Sequence, residues 1–348
     1  MASDEIPRPV RRRGPSMADV ARLAGVSGQT VSRVANDRSN VDAATRDRVL
    51  AAMRSVGYRP NSAARALRNG QSRSIGVIVF ELSSIGTTRT LDAIAAAATI
   101  RGYAVNLLPV LDATQGAVSN AFSRLGQQAV DGVIILIEAY KLDEAEVLLP
   151  EGLPVVVVDS SALYDYPVVD TDQAQGARLA TEHLLDLGHK TVWHLGGPPF
   201  SFAATRRRKS WEQTLVDRGC VVPPPLVGDW SAGSGYDAGR KLATDAEVTA
   251  VFAANDQMAL GLLRALHEAG RAVPGDISVV GFDDVEEAAH FWPPLTTIRQ
   301  KFAEVGRLSV DSLINEIQAG EHHHDPVSVG TELVIRSSTA PPPADPES

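Results

Sequence analysis

Near the start of the chain, Gln29, Thr30, Ser32 and Arg33, with Asn36 a turn further on, have the types and spacing of a DNA-reading surface on a helix that opens at Gly28. Glutamine can pair bidentately with adenine and arginine with the O6/N7 edge of guanine. Threonine and serine hydroxyls suit phosphate or base edges. A solvated helical hairpin is the competing reading of the same residues.

The segments around this set are built to position it. Val20, Leu23 and Ala24 place apolar groups on one face of a first helix, Gly25 supplies a turn residue that tolerates positive φ, and Val31 and Val34 face inward from the second helix. Small Ala21 allows close helix approach. Ser16 can N-cap the first helix, with Asp19 three residues on, and Ser27 can cap the second. Asp42 can cap a third helix running to about Val56, packed through Val49, Leu50 and Met53 and ended by Gly57. The three make a helix-turn-helix headpiece over 16–60.

Residues 61–73 form a hinge and linker. The stretch from Asn61 to Arg68 is helical in composition but too short to nucleate alone, so folding on DNA is expected. Two copies in a dimer would enter a minor groove with Ala64 faces together and Leu67 as an apolar wedge, Asn61 beside them. An ordinary linker is the alternative. Ahead of the headpiece, residues 1–15 carry Arg8, Arg11, Arg12 and Arg13 among Pro and Gly, a basic arm unable to form a core.

Composition bounds the rest. The 348 residues are 44% hydrophobic and 22% charged, which suits a soluble protein of two or three domains, and no apolar run is long enough to cross a bilayer. A net charge of −9 looks wrong for DNA binding until it is divided. Residues 1–74 hold 14 arginines against 6 acidic residues, a net +8, and the remainder carries −17. One end is therefore drawn to phosphates, and binding should be salt-sensitive. The N-terminus lacks the apolar segment of a signal peptide and Cys220 is the one cysteine, so a cytoplasmic setting is expected.

From Ser74 short β-branched runs alternate with helical segments. The strand candidates are 75–79, 104–108, 132–137, 155–159, 191–195, 250–254 and 277–281; the helices are 91–101, 113–128, 173–187, 205–218, 236–244 and 257–269. This alternation predicts parallel sheets with crossover helices, two such units in tandem flanking a cleft. The Pro-rich ending lacks heptads, so no coiled-coil assembly helix is expected, and 341–348 reads as a disordered tail.

The motifs together resemble the LacI/GalR family of bacterial transcription repressors. The headpiece phrases are Asp19-Val20-Ala21, Gly25-Val26-Ser27, Thr30-Val31-Ser32-Arg33-Val34 and Tyr58-Arg59-Pro60-Asn61, with Ala64-Arg65-Ala66-Leu67 following. In the body they are Gly228-Asp229-Trp230-Ser231-Ala232, Ala254 through Gly261, Ile277 through Asp284, and Pro293 through Gln300.

The resemblance implies a headpiece followed by two doubly wound parallel-sheet subdomains of periplasmic-binding-protein type. The N-subdomain would cover about 74–171 and 301–329, the C-subdomain about 172–300 and 330–340. It implies a homodimer on a palindromic double-stranded DNA operator, with a sugar effector, a galactoside or related glycoside, in the cleft.

The positions carried over for that effector are Asp159, Arg207, Trp230, Asn255, Asp283 and Gln300. Their chemistry is apt: Asp159, Asn255 and Asp283 follow strands, where α/β crevices place ligands, and Arg207 adds a fork of donors. Trp230 offers a flat apolar face to a pyranose. Two departures from the family pattern are Gly28, where a base-reading side chain is absent, and Phe80 to Thr90 on the first subdomain's side of the cleft. No cofactor, metal or catalytic residue is called for. His322-His323-His324 lacks convergent geometry, and Asp283-Asp284 has no partner carboxylate at hydrolase spacing. Ligand that tightens DNA binding, and a sugar-binding transport module, remain the alternatives.

Overall fold

A computed structural model describes residues 14–36, 38–58, 71–80, 82, 84–110, 115–136, 152–158, 166–319 and 326–344. The basic arm up to residue 13, the hinge candidates Asn61, Ala64 and Leu67, the cleft candidate Asp159, and the histidines 322–324 lie outside the described residues. The chain divides into two compact units, Met1–Ser72 and Arg73–Ser348.

The first unit is α1 (Met17–Ala24), α2 (Gly28–Ala35) and α3 (Ala43–Val56). Ser16 and Asp19 form a complete capping box: the Asp19 carboxylate accepts from the Ser16 amide at 3.0 Å, and the Ser16 hydroxyl accepts from the Asp19 amide at 3.4 Å. Gly25 ends α1 at φ 66°, a conformation that favours glycine. Ser27 accepts from the Thr30 amide at 3.1 Å and Asp42 from the Thr45 amide at 2.8 Å.

Val20, Val31, Val34, Val49, Ala52 and Met53 form the core of this unit. Leu23 and Leu50 do not join it; they are 56% and 37% exposed. At about 100° per residue, Met17, Val20, Ala21 and Ala24 cluster within about 50° of one line along α1, and Leu23 stands about 110° from it. Leu50 is offset by the same angle from Val49, Ala52, Met53 and Val56 on α3. Both leucines sit on the flank of their helix.

The second unit contains two six-stranded sheets. The first has the order β11 (Val327–Val329), β5 (Val168–Thr171), β4 (Val155–Val158), β3 (Gly132–Leu136), β1 (Ser74–Val79), β2 (Ala104–Pro109), all parallel. The second has the order β12 (Glu332–Val334), β10 (Thr296–Arg299), β9 (Ser278–Asp283), β8 (Ala250–Ala253), β6 (Trp193–Gly196), β7 (Leu226–Val227), with only β12 antiparallel.

Strands of β-branched residues buried on both faces follow from helices covering each side. Alternate residues of the first sheet separate into two cores, one holding Ile75, Val77 and Val79, the other Ile78, Val133 and Ile135. The helices are α4 (Ile85–Ile100), α5 (Gln115–Gln127), α6 (Gln173–Asp186), α7 (Phe202–Asp217), α8 (Ala232–Leu242), α9 (Asp256–Glu268) and α10 (Phe302–Ala319).

Three helices start earlier than their apolar pattern suggests: α4 at Ile85 rather than Leu91, α7 at Phe202 rather than Thr205, α8 at Ala232 rather than Tyr236. In each case a serine one residue ahead, Ser84, Ser201 or Ser231, caps the amide three residues on. The chain passes between the sheets three times, after β5, after β10 and after β11. The first and last of these are bonded to one another: the Asp172 amide donates to the Val329 carbonyl at 2.8 Å, and the Thr331 amide to Gln175 Oε1 at 2.7 Å.

Candidate functional site

In the first unit α2 presents its polar side outward. Gly28, Gln29 and Arg33 are exposed, and Gln29 and Arg33, four residues apart, share a face. Thr30 lies 3.0 Å from the Ser27 hydroxyl, so its own hydroxyl belongs to the N-cap. Asn36 turns its amide back onto the Ser32 carbonyl and caps the C-terminal end of α2. Of the candidate DNA-reading side chains described, Gln29 and Arg33 are therefore the outward pair, while Thr30, Ser32 and Asn36 are partly engaged within the helix.

In the second unit a cleft is lined by Arg207, Trp230, Asn255, Asp283 and Gln300 together with Gln173. Facing them are Ser84, Ile85, Thr87 and Thr90 from the start of α4, Leu136 at the end of β3, and Phe302. All five described cleft candidates thus converge.

Asp283 ends β9 at φ 112° and Asp284 follows at φ 53°, a left-handed turn that costs on the order of 1 to 3 kcal/mol per residue and must be held by its surroundings. Asp284 supplies the hold by accepting from Arg299 Nε and Arg336 Nη2, each at 2.6 Å. Asp283 is buried, and one of its oxygens accepts from Gln300 Nε2 at 2.6 Å. Its Oδ2 has no hydrogen-bond partner among the described residues. Burial pushes the Asp283 carboxyl up to about 6, and the Arg207 guanidinium and the Gln300 amide hold it from rising further.

Arg207 is buried over the Phe282 ring, 3.7 Å from guanidinium carbon to centroid, with Nη2 3.8 Å from Asp283 Oδ1. Its Nε donates to Gln173 Oε1 at 2.8 Å and its Nη1 to the Ala254 carbonyl. Its neighbour Arg206 turns the other way, across to Asp170 of β5 at 2.6 Å. Trp230 lies on Gly197, and its indole N–H is buried without a protein acceptor among the described residues. An N–H in that state is costly until a ligand oxygen meets it.

Asn255 uses its side chain inside the protein. Its oxygen caps α9 through the Met258 amide, and its nitrogen donates to the Trp230 carbonyl at 3.0 Å, fixing the loop that carries the indole. Asp256 next to it is fully buried, accepting from Thr297 at 2.6 Å and the Val285 amide at 2.9 Å. Burial and then the nearby Asp283 charge push its carboxyl well up. His194, stacked between Trp211 and Phe252, is driven down to about 3 by burial and stays neutral in the core.

Sequence reasoning missed Gln173 and the hydroxyls of Ser84, Thr87 and Thr90. Gln173 left one signal: a long polar side chain at the first position of a helix that directly follows a buried strand.

The sequence matches the family described as "Bacterial regulatory proteins, lacI family" over residues 16–61 and a "Periplasmic binding protein-like domain" over 181–339. It is 37% identical over 332 residues to the lactose operon repressor of Escherichia coli (strain K12), covering 94% of this chain and 91% of that one. The chain belongs to the LacI family.

A crystal structure of the lac repressor dimer bound to operator and an anti-inducer superposes with a TM-score of 0.82 at 36% identity, covering 94% of this chain and 100% of that one. The complex of the transcriptional regulator CelR with cellobiose gives 0.67 at 30% identity, covering 93% and 99%. As a LacI-family member the protein is a DNA-binding transcriptional repressor with an effector-binding body, and its homologues are regulators rather than enzymes. Among the described residues no helix is long and apolar enough to cross a membrane.

Proposed function

We propose that the protein is a dimeric cytoplasmic repressor that reads a palindromic operator and leaves it when a small sugar, a galactoside or related glycoside, occupies the cleft. The observation that carries the sugar reading is the pairing of the Trp230 indole with the buried Asp283 carboxylate beside Arg207. A pyranose has an apolar C–H face and a rim of vicinal hydroxyls, and this pairing suits both. Arg207 is the only cation among the described lining residues and is already engaged, so an uncharged sugar fits better than a phosphorylated one. That one relative has been crystallised with operator, and another with cellobiose, supports the same reading.

The mechanism is a linkage. Gln29 and Arg33 of each headpiece read half of the palindrome, and the sugar favours one arrangement of the two sheets over another. Its differential affinity for the two arrangements then weakens operator binding, typically by about 1 to 3 kcal/mol. Asp159 remains a proposed sugar contact. So do the hinge contacts of Asn61, Ala64 and Leu67 with DNA.

Fluorescence anisotropy of the protein on a labelled palindrome from DNA beside its own gene, titrated with galactosides and glucosides, tests this directly. Release by one sugar supports induction. Tightening by a sugar would instead make the ligand a corepressor, and indifference to every sugar would remove the effector assignment.

A further inference from the structure

Four buried side chains around the cleft close into a ring. Arg207 Nε donates to Gln173 Oε1 at 2.8 Å, Gln173 Nε2 donates to Gln300 Oε1 at 3.3 Å, and Gln300 Nε2 donates to Asp283 Oδ1 at 2.6 Å. Arg207 Nη2 completes the ring 3.8 Å from the same Asp283 oxygen. The direction of every bond is dictated. A guanidinium can only donate, so Gln173 must turn its oxygen to Arg207 and its nitrogen to Gln300, which must then turn its own nitrogen to Asp283. The last acceptor is the carboxylate whose other oxygen has no partner among the described residues.

Two members stand where the chain passes between the sheets. Gln173 follows the crossing after β5, and Gln300 precedes the one after β10. The ring therefore belongs to the cleft and to the crossings at once.

Building on the effector reading above, we infer that Gln173 is a positioning residue for the cleft. It fixes Arg207 directly and Asp283 through Gln300, and so ties occupancy of the cleft to the geometry of the crossings. A ligand hydroxyl that draws on Asp283 or Arg207 shifts bonds that end on two crossing segments. Gln173 itself is 2% exposed, so it acts through its partners rather than by covering the ligand.

Gln173→Glu separates this from a packing role. The substituted carboxylate keeps an acceptor for Arg207 but turns a second oxygen toward Gln300. Gln300 must flip, and its oxygen then faces Asp283, which favours the protonated carboxyl. Charges also lie close to Asp283: Arg207 on α7 acts on it directly, Asp256 on α9 is coupled to it, and Asp284 is its chain neighbour. The charge that Q173E adds must therefore be distinguished from the relay.

The experiment follows the Asp283 carboxyl by NMR titration of the full chain in wild type, Q173E, Q300L and Q173E/Q300L. Calorimetry with methyl β-D-galactopyranoside is run on wild type, Q173L, Q300L and Q173L/Q300L. Q173E is expected to raise the Asp283 titration, and the increment should shrink when Q300L is already present, leaving only the direct repulsion of the added charge. Q173L and Q300L should each weaken the galactoside by about tenfold, and the double variant should be no weaker than either, because both break one ring.

An equal increment between Q300L and Q173E/Q300L, or losses that multiply, overturns the inference and leaves the sugar reading intact. If wild type ignores the galactoside while the titrations behave as stated, the ring stands and the galactoside reading falls.

Discussion

Gly197→Ala tests the cleft without replacing any side chain that would contact a ligand; it acts only by displacing one. A methyl group built on Gly197 would overlap Cη2 and Cζ2 of Trp230 and lie 2.6 Å from Cζ3. Ordinary carbon contacts begin near 3.5 Å, so the indole must retreat by roughly 1 Å. The ring cannot do this freely, because Trp230 sits at φ 72° and its carbonyl accepts from Asn255. Overpacking of this kind costs about 1 to 3 kcal/mol.

If the displaced face is the one a pyranose stacks on, sugar affinity should fall by about five- to 150-fold, the same energy expressed as a ratio. Calorimetry with the sugar that releases wild type measures that loss, and anisotropy on the operator should show the variant still bound at sugar concentrations that free wild type. Unchanged sugar affinity in a folded G197A protein would refute the placement of Trp230 as the stacking face.

Gln29→Ala should cost about 1 to 3 kcal/mol on operator and little on random DNA, measured by anisotropy on both; equal losses would count against base reading. Asp283 titrates near 6 when folded, above the ordinary carboxylate value of 3.8. Its contribution to stability is therefore full below pH 4 and is lost as pH rises through 6, by about 3 kcal/mol in all. Thermal unfolding of D283N against wild type across pH 4 to 7 should show the difference between them changing in that window, and a pH-independent difference would exclude it. On the headpiece, Leu23→Gln should change stability by about 0.5 kcal/mol or less, whereas Met53→Ala should cost about 2 to 5 kcal/mol. Hydrogen exchange of headpiece amides in the full chain reads both.

The parts of this protein that were legible in its sequence are those where one local force decides. Ser16, Ser27 and Asp42 cap helices because nothing nearby competes for those amides, and the Val155 to Val158 run has no stable place except a strand covered on both sides. The cleft residues Asn255 and Asp283 came from the family resemblance, and their place after parallel strands, where loops converge by topology, agreed with it.

Gln173 was hidden because its importance lies in partners 34 and 127 residues away. Leu23 and Leu50 misled because an apolar residue on a short helix fits a core pattern even at its flank. The strands β7, β11 and β12 have two or three residues each, too few for any periodicity to register, and they are fixed by pairing with strands from distant sequence.

The three crossings also set an order in time. Neither sheet is complete until the ribosome has passed its edge strand, β11 for the first and β12 for the second, the last ending at Val334. The headpiece has its full core by Tyr58. At about 5 to 20 residues per second, the two events are separated by roughly 15 to 55 s. Every newly made molecule thus acquires its DNA-binding headpiece well before it has a cleft that could answer to an effector.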